Sequence, residues 1–284
     1  MRANFVHGNC GLPGVLGCPR ERVSGSNRPS MKAVILAGGE GTRLWEETRS
    51  CPKPMIPIGD QPILWHIMQI YAAHGIRDFV ICLGRFGNVV RDYFRDYRLY
   101  NSDVTVHTAS GQVEYHPAPR DDWRVTLVDT GVGATTGERL VRIRPWVADD
   151  EAFCMTYGDG VADIDIARLI RFHLEHGLLA TMTAVRPLPR FGVPDVDAGR
   201  VIRMREKPAF DHGWINGGFY VLRPSALDYI TGPVMWEHAP LEALATAGQL
   251  AAYEHVGYWQ CLDTWKDKKT LEREWESGRP PWKV

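Results

Sequence analysis

What the sequence lacks narrows the field first. No apolar run reaches the ~18 residues of a membrane-spanning helix. The formal net charge is −1, from 33 basic and 34 acidic residues, so there is no excess positive charge to hold a nucleic acid; only a local basic site could do so. The 6 cysteines, at 10, 18, 51, 82, 154 and 261, are scattered and never fall in C-x-x-C spacing, so zinc is not indicated. Cys82 and Cys154 sit inside apolar runs and read as small buried hydrophobes, which suits a reducing, cytoplasmic setting. No Gly-Lys dipeptide occurs, which excludes a P-loop. No repeat or low-complexity linker divides the chain. What is present is ordinary globular usage, 44% hydrophobic and 24% charged over 284 residues, with ample length for a large core.

Residues 1–30 differ from the rest. They hold Gly8, Gly11, Gly14, Gly17 and Gly25, three prolines and four arginines, and show no hydrophobic period. Phe5-Val6 and Val15-Leu16 are too short for a signal-peptide core, so the segment reads as a disordered extension. Met31 opens the first structural element.

From there strands and helices alternate. Ala33 to Leu36 is a continuous apolar run ending at Gly38-Gly39, as in a strand buried on both faces. Ile63, Leu64, Ile67, Met68 and Tyr71 recur at helical spacing and stop at Gly75. Phe79–Leu83, Arg124–Val128, Ala152–Tyr157 and Leu178–Val185 read as further strands, and Val104–Tyr115 as a β-rich patch. Asp163 is positioned to cap a helix carrying Ile166, Leu169 and Ile170. The second half is strand-rich: Arg200–Arg205, Ile215–Leu222 and Ala251–Val256, with helices near Pro240–Ala247 and Thr264–Trp275. The pattern predicts an α/β fold with a mostly parallel central sheet, helices on both faces, and a β-rich second half on the same sheet. Ligands of such open sheets sit at the carboxyl ends of strands, so residues just after strands carry the chemistry.

The first such place is Leu36-Ala37-Gly38-Gly39-Glu40-Gly41-Thr42-Arg43-Leu44. Its glycines let the backbone turn tightly and approach a ligand, and successive amides in such a loop form an anion site. Arg43 adds a fork of donors suited to phosphate. Leu44 stands where a dinucleotide-binding fingerprint needs its third glycine, so that reading is weak; a glycine turn without a ligand is the remaining alternative. Lys53 lies between Pro52 and Pro54, which stiffen its backbone. Taken alone it is an ordinary loop lysine.

The run from Met31 to Gly59, MKAVILAGGEGTRLWEETRSCPKPMIPIG, resembles the opening signature of the sugar-phosphate nucleotidyltransferases. PILWHIM (62–68), VTLVDTG (125–131), TYGDGVADIDI (156–166), RFG (190–192), EKP (206–208), INGGFYVL (215–222) and WQCLDT (259–264) narrow the resemblance to the branch that uses CTP. The likeness covers residues 31–284 and implies the Rossmann-like nucleotidyltransferase fold, with 31–177 mainly binding nucleotide and 178–284 mainly binding sugar. In that family the glycine loop holds the triphosphate and the downstream lysine contacts phosphate, which assigns Arg43 and Lys53.

Asp159 follows a buried strand between Gly158 and Gly160, and Asp263 follows Leu262. Two carboxylates can share one Mg²⁺, which takes phosphate oxygens as further ligands. By themselves Asp159 reads equally as a turn residue and Asp263 as a helix cap; the resemblance matches both to the family's metal-binding aspartates. It also implies Lys207 for the acceptor phosphate, Glu206 and Asn216 for sugar hydroxyls, and Trp259 beside the sugar. Gly158 joins the nucleotide site, and Thr136, Gly137 and Arg139 are implied for the base, Arg139 toward its O2 carbonyl.

The implied activity is Mg²⁺-dependent transfer of a cytidylyl group from CTP to glucose 1-phosphate, feeding CDP-sugar and O-antigen polysaccharide synthesis. The implied assembly is a homo-oligomer, with a hexamer the form the family suggests. Rival readings are the same chemistry with UTP or dTTP, and an inactive nucleotide-sugar-sensing subunit. The retained Gly38, Gly39, Arg43, Lys53, Asp159, Lys207 and Asp263 speak against the latter.

Overall fold

The computed structural model describes residues 31–39, 44, 48–116, 121–187, 193–205 and 213–283. The expected extension over 1–30 and the expected site residues Glu40, Gly41, Thr42, Arg43, Glu206 and Lys207 lie outside these.

Along the chain run the strands β1 (Lys32–Leu36), β2 (Pro57–Ile58), β3 (Gln61–Pro62), β4 (Asp78–Leu83), β5 (Val104–His107), β6 (Gln112–Tyr115), β7 (Arg124–Asp129) and β8 (Phe153–Tyr157). After them come β9 (Gly160–Ala162), β10 (Ala180–Val185), β11 (Val193–Asp197), β12 (Arg200–Arg205), β13 (Ile215–Leu222), β14 (Leu250–His255) and β15 (Trp259–Cys261). The helices are α1 (Ile63–Ala73), α2 (Gly87–Arg95), α3 (Tyr97–Tyr100), α4 (Thr136–Arg142), α5 (Arg144–Val147), α6 (Ile166–His176), α7 (Ala239–Thr246) and α8 (Trp265–Glu276).

The main sheet has the order β14-β10-β13-β8-β1-β4-β7. β1 lies parallel between β4 and β8. β4 with β7 and β10 with β14 are also parallel, while β13 runs against both β8 and β10. This is the expected α/β class, and β10, β13 and β14 do join the same sheet. Alternation along β1 separates two cores. Ala33 and Ile35 join Ile67, Leu169 and Leu271 on one face, from α1, α6 and α8. Val34 and Leu36 join Leu140, Val147 and Leu244 on the other, from α4, α5 and α7. With both faces covered, β1 has to be apolar at every position, hence its unbroken run.

One expected cap moves. Asp165, not Asp163, caps α6: its carboxylate accepts from the Arg168 amide at 2.9 Å. The cap must directly precede the first helical turn to reach that amide, and Asp163 falls two residues short. Asp163 instead faces His255 Nε2 at 2.9 Å. Among the described residues no helix is long and apolar enough to cross a membrane.

Candidate active site

β8 ends at Tyr157, and the chain then crosses the end of β1, with the Gly158 amide bonded to the Leu36 carbonyl at 3.1 Å. A Cβ at 158 would stand 2.6 Å from Pro54 Cγ, so glycine is required for this passage. Asp159 follows. β9 then pairs antiparallel with β15, Gly160 opposite Cys261, and the Leu262 amide donates to the Asp159 carbonyl at 2.8 Å. That register carries Asp159 and Asp263 to the same point.

Between them lies Lys53. It opens a short 3₁₀ turn, Lys53–Met55, directly after Pro52. Its ammonium donates to Asp159 Oδ2 at 2.7 Å and to Asp263 Oδ1 at 2.6 Å. Burial opposes the charged form, but the two carboxylates outweigh it and hold the Lys53 pKa above its ordinary value. Asp263 is not the cap of α8. Thr264 caps it in a reciprocal arrangement with Asp267, whose carboxylate also accepts from the Asp263 amide at 3.2 Å.

Two cavities meet at this cluster. One, of about 500 Å³, is lined by Leu36, Gly38, Gly39, Lys53, Thr136, Arg139, Tyr157, Gly158 and Asp159. The other, of about 230 Å³, is lined by Tyr157, Asp159, Asn216, Gly217, Gly218, Trp259, Cys261 and Asp263. Ala37 is buried at the end of β1 and donates its amide to the Cys82 carbonyl at 3.0 Å. In the smaller cavity the Trp259 indole donates to the Gly217 carbonyl at 2.7 Å. Asn216 Oδ1 accepts from the Gly218 amide at 2.9 Å, which fixes the Gly217-Gly218 turn.

Arg139, expected at the base, is engaged by oxygens of the protein itself. It borders the larger cavity but is only 3% exposed. Its Nη1 donates to the Leu83 carbonyl at 3.0 Å, Thr130 Oγ1 at 2.7 Å and the Gly131 carbonyl at 3.0 Å, and Nη2 to the Gly38 carbonyl at 2.8 Å. A buried guanidinium needs such acceptors, and these tie the glycine loop to β4 and β7. A Cβ at Gly38 would lie 2.2 Å from Arg139 Nη1, so a side chain there would push the guanidinium from its present place. Thr136 begins α4, whose cap is Thr135, and its hydroxyl donates to Glu237 Oε2 at 2.7 Å. Gly137 packs where a Cβ would meet the Val234 carbonyl at 2.4 Å.

Sequence reasoning passed over Tyr157, which lines both cavities, and Met235, which reaches the larger one from the second half of the chain. Tyr157 had a local signal, an aromatic hydroxyl closing an apolar strand just before Gly-Asp-Gly. Met235 had none, because its approach depends on how 231–238 packs against α4. Among the described residues no three His, Cys, Asp or Glu side chains converge as a complete metal cage. Asp159 and Asp263 nevertheless place hard oxygens around one cation, the lysine ammonium. That donor set fits a metal that takes its other ligands from water and phosphate.

A mostly parallel α/β sheet with a glycine loop after its first strand, and a lysine between two aspartates that follow strands, fits a nucleotide-handling transferase site. The chain belongs to the nucleotidyl transferase family, whose profile matches residues 32–272. It is 55% identical over 255 residues to a glucose-1-phosphate cytidylyltransferase of Salmonella typhi, covering 89% of this chain and 99% of that protein. It is 41% identical over 256 residues to a probable glucose-1-phosphate cytidylyltransferase of Bacillus subtilis (strain 168), covering 89% of this chain and 100% of the relative. The fold is shared with a solved UDP-glucose pyrophosphorylase in complex with UDP-glucose: TM-score 0.62, 17% identity, 88% of this chain and 99% of that one.

Proposed function

We propose that this chain transfers the cytidylyl group of CTP to glucose 1-phosphate, releasing pyrophosphate and forming CDP-glucose. The observation that carries the reading is 55% identity spanning 99% of the length of a cytidylyltransferase. The site supports it chemically: a lysine and two carboxylates stand where two cavities meet, with room for a nucleotide on one side and a sugar phosphate on the other.

An oxygen of the sugar phosphate attacks the α-phosphorus. A new P–O bond forms, and the bond to the bridging oxygen of pyrophosphate breaks in line with it. The nucleophile is already ionised at neutral pH, so no general base is needed, and catalysis is positioning and charge neutralisation. The glycine loop, 36–42, cradles the triphosphate, and Arg43 and Lys53 neutralise the transferring and leaving groups. Lys207 holds the acceptor phosphate, Glu206 and Asn216 take sugar hydroxyls, and Trp259 holds the Gly217-Gly218 turn against the ring. Asp159 and Asp263 would hold Mg²⁺, which when bound offsets charge on phosphate oxygens. Thr136 and Gly137 border the base, and Arg139 acts by holding the loop. Cytosine is selected over uracil because a polar site built for one base edge leaves groups unpaired with the other. The working form is a homo-oligomer, with a hexamer as the expected size, in the cytoplasm, and its product feeds CDP-sugar branches of O-antigen synthesis.

The test is pyrophosphate release with glucose 1-phosphate and each of CTP, UTP, dTTP, ATP and GTP. CTP should be used at least about 10-fold more efficiently than UTP, the cost of one mismatched buried contact. Equal use of CTP and UTP would overturn the cytidylyl assignment.

A further inference from the structure

Thr135, Thr136 and Gly137 all meet one segment from the second half of the chain, 234–237. The Thr135 hydroxyl donates to the Val234 carbonyl at 2.7 Å. The Thr136 hydroxyl accepts from the Trp236 amide at 2.9 Å and donates to Glu237 Oε2 at 2.7 Å. Gly137 completes the fit, since a Cβ there would stand 2.4 Å from the Val234 carbonyl. These contacts fall on both sides of Met235, whose sulfur lies 3.9 Å from the Thr136 hydroxyl. The next residue, Trp236, is fully buried in the core with Leu140 and Leu244 and anchors the segment from beneath. Met235 itself is 40% exposed and lines the larger cavity.

The lining of that cavity is of two kinds. Lys53, Asp159 and the Gly38-Gly39 backbone supply charge and polar groups, while Val132, Ala134 and Met235 supply apolar side chains. Val132 is 63% exposed. Two large apolar side chains open to water on the wall of one cavity are stabilised when an apolar ring face covers them. A triphosphate needs the first kind of lining and a heteroaromatic base the second. A thioether suits the second role, because it is unbranched and polarisable and conforms to a flat ring. Thr136 has no proton to offer the base edge, since its one proton goes to Glu237.

We propose that Met235 is the apolar wall against which the face of the pyrimidine ring rests, and that Thr136 is a positioning residue that acts through Met235 by holding 234–237 on α4. The inference rests on the nucleotide reading of the larger cavity given above, not on which pyrimidine is used. Cytosine and uracil differ at their edges and are alike on their faces. Met235 therefore adds affinity for the nucleotide without choosing between the two bases, and a ligand with no base is indifferent to it.

The measurement is the calorimetric Kd of α,β-methylene-CTP, α,β-methylene-UTP and inorganic triphosphate for the full chain in Mg²⁺ buffer. Met235→Ala should weaken both nucleotide analogues by the same factor of about 10, the scale for losing part of one apolar contact, and leave triphosphate within about 2-fold. Met235→Leu, close in volume, should restore the analogues to within about 3-fold of wild type. Thr136→Val keeps the side-chain shape and loses its hydrogen bonds. Alone it should weaken the CTP analogue by at least about 3-fold, and in the Met235→Ala background it should add nothing, because residues acting as one unit are not additive. Unchanged analogue binding in Met235→Ala overturns the proposal, and so does an equal loss for triphosphate, which marks a general distortion. Additive losses in the double variant overturn the role given to Thr136. A wild type that binds the analogues no more tightly than triphosphate overturns the role of Met235 alone, whereas one that binds none of the three overturns the nucleotide reading with it.

Discussion

The Lys53 ammonium lies 2.6 Å from Oδ1 of Asp263, 210 residues further along the chain, while its other side meets Asp159. One positive charge between two negative ones leaves a local excess of −1. A lysine in this position serves the fold before it serves the reaction, because it keeps two carboxylates together at the mouth of both cavities.

Lys53→Met should therefore be destabilising as well as inactivating. Stability in metal-free buffer should fall by about 1–2 kcal/mol, below the roughly 3–5 kcal/mol of a fully buried pair, because both carboxylates retain some solvent. Thermal unfolding with and without Mg²⁺ checks this. Added Mg²⁺ should recover more stability in the variant than in the wild type, and equal gains would contradict the account.

Asp159→Asn keeps the shape of the side chain and removes its charge. Turnover should drop by at least about 100-fold, the scale for losing one preorganised electrostatic group. Circular dichroism should be unchanged, since the Leu262 bond uses the Asp159 backbone carbonyl. Near-normal steady-state rates at saturating Mg²⁺ would remove Asp159 from the metal role.

Arg139→Lys tests the loop-holding role. An ammonium cannot span the Gly38 carbonyl and the Leu83, Thr130 and Gly131 oxygens at once. The variant should lose stability by about 1.5–3 kcal/mol and bind every nucleotide more weakly, with its CTP-to-UTP ratio of kcat/KM unaltered. A change in that ratio would return Arg139 to the base.

His173 gives a pH dependence. It is fully buried against Thr181, and burial, with His176 and Arg223 nearby, holds its pKa down to about 4. The unfolded chain takes up the proton near pH 6.5, so between there and about 4 it binds protons that the fold refuses. Stability is therefore full above about pH 6.5 and declines as pH falls through that window. Melting temperatures from pH 8 to 4.5 should show the decline, and His173→Asn should flatten it. An identical slope in the variant would place the sensitivity elsewhere.

The legible parts of this molecule share a local cause. β1, β4 and β8 are apolar runs because they lie in the sheet interior, and Gly38 and Gly158 follow them where a Cβ would meet the Arg139 guanidinium and the Pro54 ring. Even local signals misled by two residues at Asp163, since several acidic side chains competed for one cap. Arg139 shows a different limit: an arginine near a glycine loop reads as a ligand contact, and its bonds to Gly38, Leu83, Thr130 and Gly131 become visible only in the structure.

The order of strands and helices, the fold class and the residue types of the site were determined by the sequence, through hydrophobic period, glycine placement and family motifs. The meeting of Asp159 with Asp263 was not, because it depends on β9 pairing with β15 in one register across about a hundred residues. Local pattern records which face of an element is buried. Which partner meets that face is set only when the whole sheet closes, because long-range pairing is decided by the sum of all the packing contacts and not by any one segment.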